Sequence, residues 1–141
     1  MKPIRLEIDG INSYASKQVI DFDRLTSRGI FGIFGKTGSG KSTILDAMTL
    51  ALYGNIARGS KEFINSNRHK AIVSYTFELG LGQDRVRYMV SRRFKKSERS
   101  GKTSATSDYV RLMSMGQDGN YEVLADRVGE VNKQIKAILG L

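Results

Sequence analysis

The residues with the clearest chemistry are Gly35-Lys36-Thr37-Gly38-Ser39-Gly40-Lys41-Ser42, followed by Thr43. Glycine lets a backbone turn sharply and approach an anion with no Cβ in the way. The N–H groups of such a loop converge on a phosphate, and the positive end of a following helix adds to the attraction. Lys41 can reach β- and γ-phosphates as a point charge, and the Ser42 hydroxyl can ligate Mg²⁺. The spacing Gly35-x₄-Gly40-Lys41-Ser42 is a complete Walker A pattern. Average residue usage would produce it by chance in a chain of 141 residues on the order of half a percent of the time. The pattern therefore reads as a site for a nucleoside triphosphate with Mg²⁺. Lys41 is the candidate catalytic residue and Ser42 the candidate metal ligand. Thr43 either contacts the α-phosphate or is simply a first-turn helix residue. No group in the loop reads a base, so ATP and GTP both fit it.

Such a loop needs a strand before it and a helix after it. Ile30-Phe31-Gly32-Ile33-Phe34 is a continuous apolar run, as in a strand covered on both faces. Residues 42–53 suit a helix, and Ile44, Leu45, Met48, Ala51 and Leu52 leave it little polar surface, so it is expected to be buried. Gly54 is placed to cap its end. Upstream, Ile4, Leu6 and Ile8 alternate with Arg5, Glu7 and Asp9, the period of a half-buried strand. A polar turn at 10–17 then leads to a short strand at 18–22. Residues 55–70 read as a connecting loop. Val73, Tyr75, Phe77 and Leu79 form one arm of a β-hairpin and Val86, Tyr88 and Val90 the other, across a turn at 80–84. Residues 95–108 hold no apolar residue larger than alanine and are expected to be mobile rather than packed. A second hairpin joins 109–115 to 121–124. Val128, Val131, Ile135 and Ile138 then recur at helical spacing. The expectation is one α/β domain spanning residues 1–141, with no internal repeat.

The formal net charge is +9, from 23 Lys and Arg against 14 Asp and Glu, a balance that favours polyanionic partners. There are no cysteines, so disulfides and thiolate metal sites are excluded and a cytoplasmic setting fits. No apolar run approaches the ~20 residues that span a bilayer, and the first residues lack the apolar stretch of a signal peptide. The single histidine, His69, cannot build a zinc site alone and reads as a solvated loop residue. Arg92, Arg93, Lys95, Lys96, Arg99 and Lys102 cluster around Glu98. They either line a phosphate backbone or merely solvate a loop. Asp46, on the helix after the glycine loop, is open to pairing with a basic residue and is given no catalytic role.

Residues 1–54 resemble the N-terminal lobe of the SbcC-type, SMC-like DNA-repair ATPases. The resemblance rests on Met-Lys-Pro-Ile-Arg-Leu at 1–6, Ile20-Asp21-Phe22, the glycine loop, and Ile44-Leu45-Asp46-Ala47 with Ala51-Leu52-Tyr53-Gly54. It continues more loosely through Arg58, the paired hairpins, Val131-Asn132-Lys133 and the closing Ile-Leu-Gly-Leu. It implies an α/β P-loop NTPase fold: the N-terminal half, or lobe I, of an ABC/SMC-type ATPase head with added antiparallel hairpins. It further implies ATP with Mg²⁺ and double-stranded DNA bound without regard to sequence. The implied partners are a nuclease subunit of the SbcD type, the chain's own C-terminal lobe, and a second protomer whose head pairs with this one. Such an ATPase would drive a DNA exonuclease or endonuclease in repair and recombination. No membrane is implied.

The resemblance also places Tyr14 where an aromatic can stack on adenine, though packing over a turn fits as well. Asn12 and Ser13 would lie near ribose or phosphate. Arg58 would lie near the nucleotide or the DNA, or is simply a solvated arginine. The 141 residues contain no apolar run ending in Asp-Glu, no Leu-Ser-Gly-Gly signature and no glutamine loop. The chain thus reads as a lobe cut before a coiled coil, whose hydrolysis needs the other lobe. A P-loop kinase for a small metabolite, and a non-hydrolysing nucleotide-dependent interaction module, are the competing readings. The hairpins after the glycine loop, in place of repeated βα units, count against the kinase.

Overall fold

A computed structural model describes residues 1–23, 41–55 and 63–140, with the backbone alone for Lys41 and Ser42. The expected strand at 30–34, the loop from Gly35 to Gly40, and Arg58 lie outside the described residues.

Six strands form one antiparallel sheet: β1 (Lys2–Asp9), β2 (Gln18–Asp21), β3 (Lys70–Leu79), β4 (Val86–Arg99), β5 (Lys102–Met115) and β6 (Tyr121–Ala125). Their order is β2-β1-β3-β4-β5-β6. Two α-helices, α1 (Lys41–Tyr53) and α2 (Val128–Leu139), and a 3₁₀ turn at Gly82–Asp84 complete the described architecture. The alternation read from β1 and β3 sends Leu6, Ile8, Ala71, Val73, Tyr75 and Phe77 into the core. There they meet Ala47, Leu50 and Ala51 of α1 and Val131 and Ile135 of α2. Phe63 packs edge-on to Phe94 with ring centroids 5.0 Å apart, which closes the core beneath the 63–69 segment. Both helices end on a left-handed glycine, the first at the Gly54 that the sequence predicts. Gly54 has φ +80 and its N–H bonds the Leu50 carbonyl at 2.8 Å, and Gly140 is left-handed after α2.

Two expectations fail. Residues 95–108 are not a mobile segment. They are the outer halves of β4 and β5, paired from Phe94–Ser107 through Arg99–Lys102. Ser100 and Gly101 make the turn with φ of 52 and 74, both positive as a tight two-residue hairpin requires. Backbone pairing orders this arm without a core of its own. The helix α1 is also less covered than expected: Leu45 is 55% exposed and Tyr53 38% exposed. With Thr49 between them they form an outward stripe at i, i+4 spacing.

Candidate functional site

Among the described residues, the glycine loop is represented by its continuation, α1, whose first residue is Lys41. What surrounds the first turn of that helix is well defined. Thr43 is buried, and its Oγ1 accepts a bond of 3.4 Å from Asn12 Nδ2. Asn12 lies in a tight turn in which the Tyr14 N–H bonds the Ile11 carbonyl at 2.9 Å. The segment Asn12, Ser13 and Tyr14, which sequence reasoning set near the nucleotide, therefore does border the helix that carries Lys41 and Ser42. Within it Ser13 is exposed, whereas Tyr14 is half-buried against the core.

The turn is held from behind by residues that sequence reasoning passed over. The Asn12 N–H donates to the Phe63 carbonyl at 2.7 Å, and its carbonyl accepts from Asn65 Nδ2 at 2.6 Å. Asn65 is only 8% exposed, and its Oδ1 accepts the Asn67 N–H at 2.9 Å. Arg68 Nη1 pairs with Asp9 Oδ1 at 2.7 Å and also bonds the Ala15 carbonyl. Together these contacts hold Asn12 at φ 50, a left-handed value that asparagine tolerates better than most residues. The signal in the sequence is the Asn65-Ser66-Asn67 run, whose side chains favour local backbone bonds over regular structure.

At the other end of α1 lies the largest correction. Arg92, counted from the sequence among the surface cations, is 1% exposed. Its Nε donates to the Ala51 carbonyl at 2.7 Å; its Nη2 donates to the Leu52 carbonyl at 3.1 Å and to Asn132 Oδ1 at 2.9 Å. The guanidinium thus caps the negative end of the α1 dipole and ties α1 to α2. Burial pushes its pKa down to about 10, so it stays charged at neutral pH.

The rest of the basic cluster divides by strand alternation. Arg93 pairs with Asp108 at 3.0 Å and stacks over Tyr109. Lys96, on the same face of β4 as Arg92, turns its ammonium to the Asn65 and Ser66 carbonyls at 3.3 and 3.4 Å. Lys95, Arg99 and Lys102 remain exposed, with no ion pair among the described residues. Asp46 is buried on α1 and His69 is exposed, as read. No cluster of three acidic, histidine or cysteine residues that could hold a metal occurs among the described residues. No described helix is long and apolar enough to cross a membrane.

A family model described as an AAA domain matches residues 5–138. The chain is 44% identical over 141 residues to the SbcC component of the nuclease SbcCD from Clostridium acetobutylicum. It is 42% identical over 144 residues to the SbcC component from Bacillus subtilis. Each match takes in 100% of this chain but 12% of the relative, so the chain spans about an eighth of their length. A solved structure from work on ATP-driven dimerization and DNA-stimulated activation of SMC ATPases superposes with a TM-score of 0.60 at 23% identity. That superposition covers 99% of this chain and 80% of the other. The fold is accordingly the expected one, the N-terminal lobe of an SMC-type P-loop ATPase head, and the resemblance to SbcC-type proteins holds over the whole chain.

Proposed function

Because this chain belongs to the AAA domain family, we propose that it is the nucleotide-binding lobe of an ATPase that powers a DNA-processing nuclease. The carrying observation is the Gly35-to-Ser42 pattern running directly into α1, with Asn12 set against the first turn of that helix. In this reading the N–H groups of Gly35, Lys36, Thr37, Gly38, Ser39 and Gly40 surround the phosphates. Lys41 neutralises the β- and γ-oxygens, Ser42 holds Mg²⁺, and Thr43 and Asn12 border the α-phosphate and ribose. Mg²⁺ supplies charge neutralisation at the phosphates when bound.

The outward stripe of Leu45 and Tyr53 supports a further, C-terminal lobe packed on α1. The exposed cations of the β4–β5 arm support double-stranded DNA bound through its backbone. A second protomer's head and a nuclease partner of the SbcD type complete the assembly, in keeping with the SbcCD name of the relatives. The consecutive antiparallel strands β3 to β6 offer no βα units of the kind that build a metabolite kinase.

Isothermal titration with Mg-ATP tests the site. Lys41→Ala should abolish binding while leaving the far-ultraviolet circular dichroism unchanged; wild-type affinity in the variant would refute the assignment.

A further inference from the structure

The turn that borders α1 does not support itself; residues 63–68 clamp it at both ends. Ile11 makes an isolated β-bridge with Ile64. Beside that bridge the Asn12 N–H donates to the Phe63 carbonyl at 2.7 Å, and the Asn65 N–H donates to the Gly10 carbonyl at 2.8 Å. Within this frame the Asn65 amide has a fixed orientation. Its Oδ1 accepts the Asn67 N–H, which leaves Nδ2 to donate to the Asn12 carbonyl at 2.6 Å. At the far end Arg68, paired with Asp9, holds the Ala15 carbonyl. Each of these two holds spans 53 residues of sequence. Between them lie Asn12 at φ 50, Ser13 and Tyr14, and the Asn12 side chain reaches Thr43 in the first turn of α1. A left-handed backbone outside glycine persists where its surroundings over-determine it, and here the clamp does so.

We propose that Asn65 and Arg68 are positioning residues that let the site distinguish a nucleoside triphosphate from a bare triphosphate chain. The inference rests on the nucleotide reading of the preceding section and names the residues that set its specificity. In that reading the glycine loop, Lys41 and Ser42 address phosphate oxygens, which a nucleotide and a simple triphosphate ester share. A preference for the nucleoside has to come from groups beyond the phosphates, and Asn12, Ser13 and Tyr14 are the residues set beside α1. Hydrogen bonds and ring contacts weaken steeply with distance and angle, so these groups discriminate only while the turn is held. Asn65 and Arg68 hold it by main-chain carbonyls, one at each end. Releasing either carbonyl frees the turn and leaves the phosphate loop in place. Both residues thus act on the nucleoside through the turn.

Titration calorimetry with Mg-ATP and with the Mg²⁺ complex of methyl triphosphate tests the clamp. Methyl triphosphate carries the same phosphates and charge without the nucleoside. The readout is the ratio of the two dissociation constants. A general loss of folded protein weakens both ligands by one factor and leaves that ratio unmoved. The wild type should favour Mg-ATP by about tenfold or more, the worth of one or two ordinary contacts. Asn65→Asp keeps the acceptor for Asn67 but turns a carboxylate oxygen toward the Asn12 carbonyl. It should lower the preference to about twofold or less, with the methyl triphosphate constant nearly unchanged. Arg68→Met should do the same from the other end of the turn, and Arg68→Lys, which keeps a charged donor, should retain most of the preference. A wild-type ratio of one, an undiminished ratio in Asn65→Asp or Arg68→Met, or an equal loss of both ligands in these variants would overturn the clamp and leave the phosphate site standing. If Lys41→Ala bound methyl triphosphate as tightly as the wild type does, the nucleotide reading would fall and the inference with it.

Discussion

Arg92 shows how far a single residue can depart from what its type implies. Its charge is buried with three neutral acceptors, and removing it would leave two helix carbonyls and the Asn132 amide oxygen without their donor. Arg92→Met should therefore cost about 3 kcal/mol of stability, read by urea unfolding, with Arg92→Lys recovering only part of it. The pH dependence has a definite sign. The folded pKa of about 10 lies below arginine's ordinary value, so above pH 10 the unfolded chain holds the proton more tightly. The difference between wild type and Arg92→Met should stay flat around neutral pH. It should move in favour of the wild type only as pH climbs through 10. The burial was legible in part, because Tyr88, Val90, Arg92 and Phe94 share one face by strict alternation. Counting Arg92 as one of six clustered cations hid that register, and its partner Asn132, 40 residues away, carries no local signal.

At the level of elements, the helices and inner strands followed from periodicity, and the Gly54 end of α1 from its position. Gly54 has a stronger requirement than its cap alone, since a Cβ there would sit 3.1 Å from Arg92 Nη1. Gly54→Ala combines that contact with a left-handed backbone and should cost about 1–2 kcal/mol in thermal or urea unfolding. The β4–β5 arm was missed because composition was weighed above turn chemistry. Ser100-Gly101 between two polar runs rich in serine and threonine is a hairpin signal, and backbone pairing needs no large side chains. Alternation then places Lys95 and Arg99 on the outer face, with Lys102 opposite Arg99. Replacing Lys95, Arg99 and Lys102 by serine should flatten the slope of log K against log salt for duplex binding by roughly 2 to 3. Fluorescence anisotropy across a salt series checks this, and an unchanged slope would place the DNA elsewhere.

The described molecule is one sheet with its helices gathered on a single face. On the proposed reading Lys41 and Ser42 meet the nucleotide, but the 141 residues contain no acidic run to polarise water and no signature to close over the γ-phosphate. The purified chain should accordingly bind Mg-ATP weakly and release phosphate at a rate indistinguishable from Lys41→Ala. Robust turnover by the wild type alone would show that the architecture has been misread.

The strand order also bears on how the lobe is born. β3, β4, β5 and β6 neighbour one another in sequence and in space, but β1 lies between β2 and β3, with Asp9 opposite Ile72. Synthesised well before β3, β1 leaves the ribosome with Leu6 and Ile8 ready for a core whose other wall has not been translated. At about 5–20 residues per second, it waits roughly 3 to 12 s for β3. Among the described strands, β2 is its only partner for that interval, and a two-stranded hairpin is at best marginal in water. The earliest strand of the sheet thus becomes interior only when the middle of the chain arrives to enclose it.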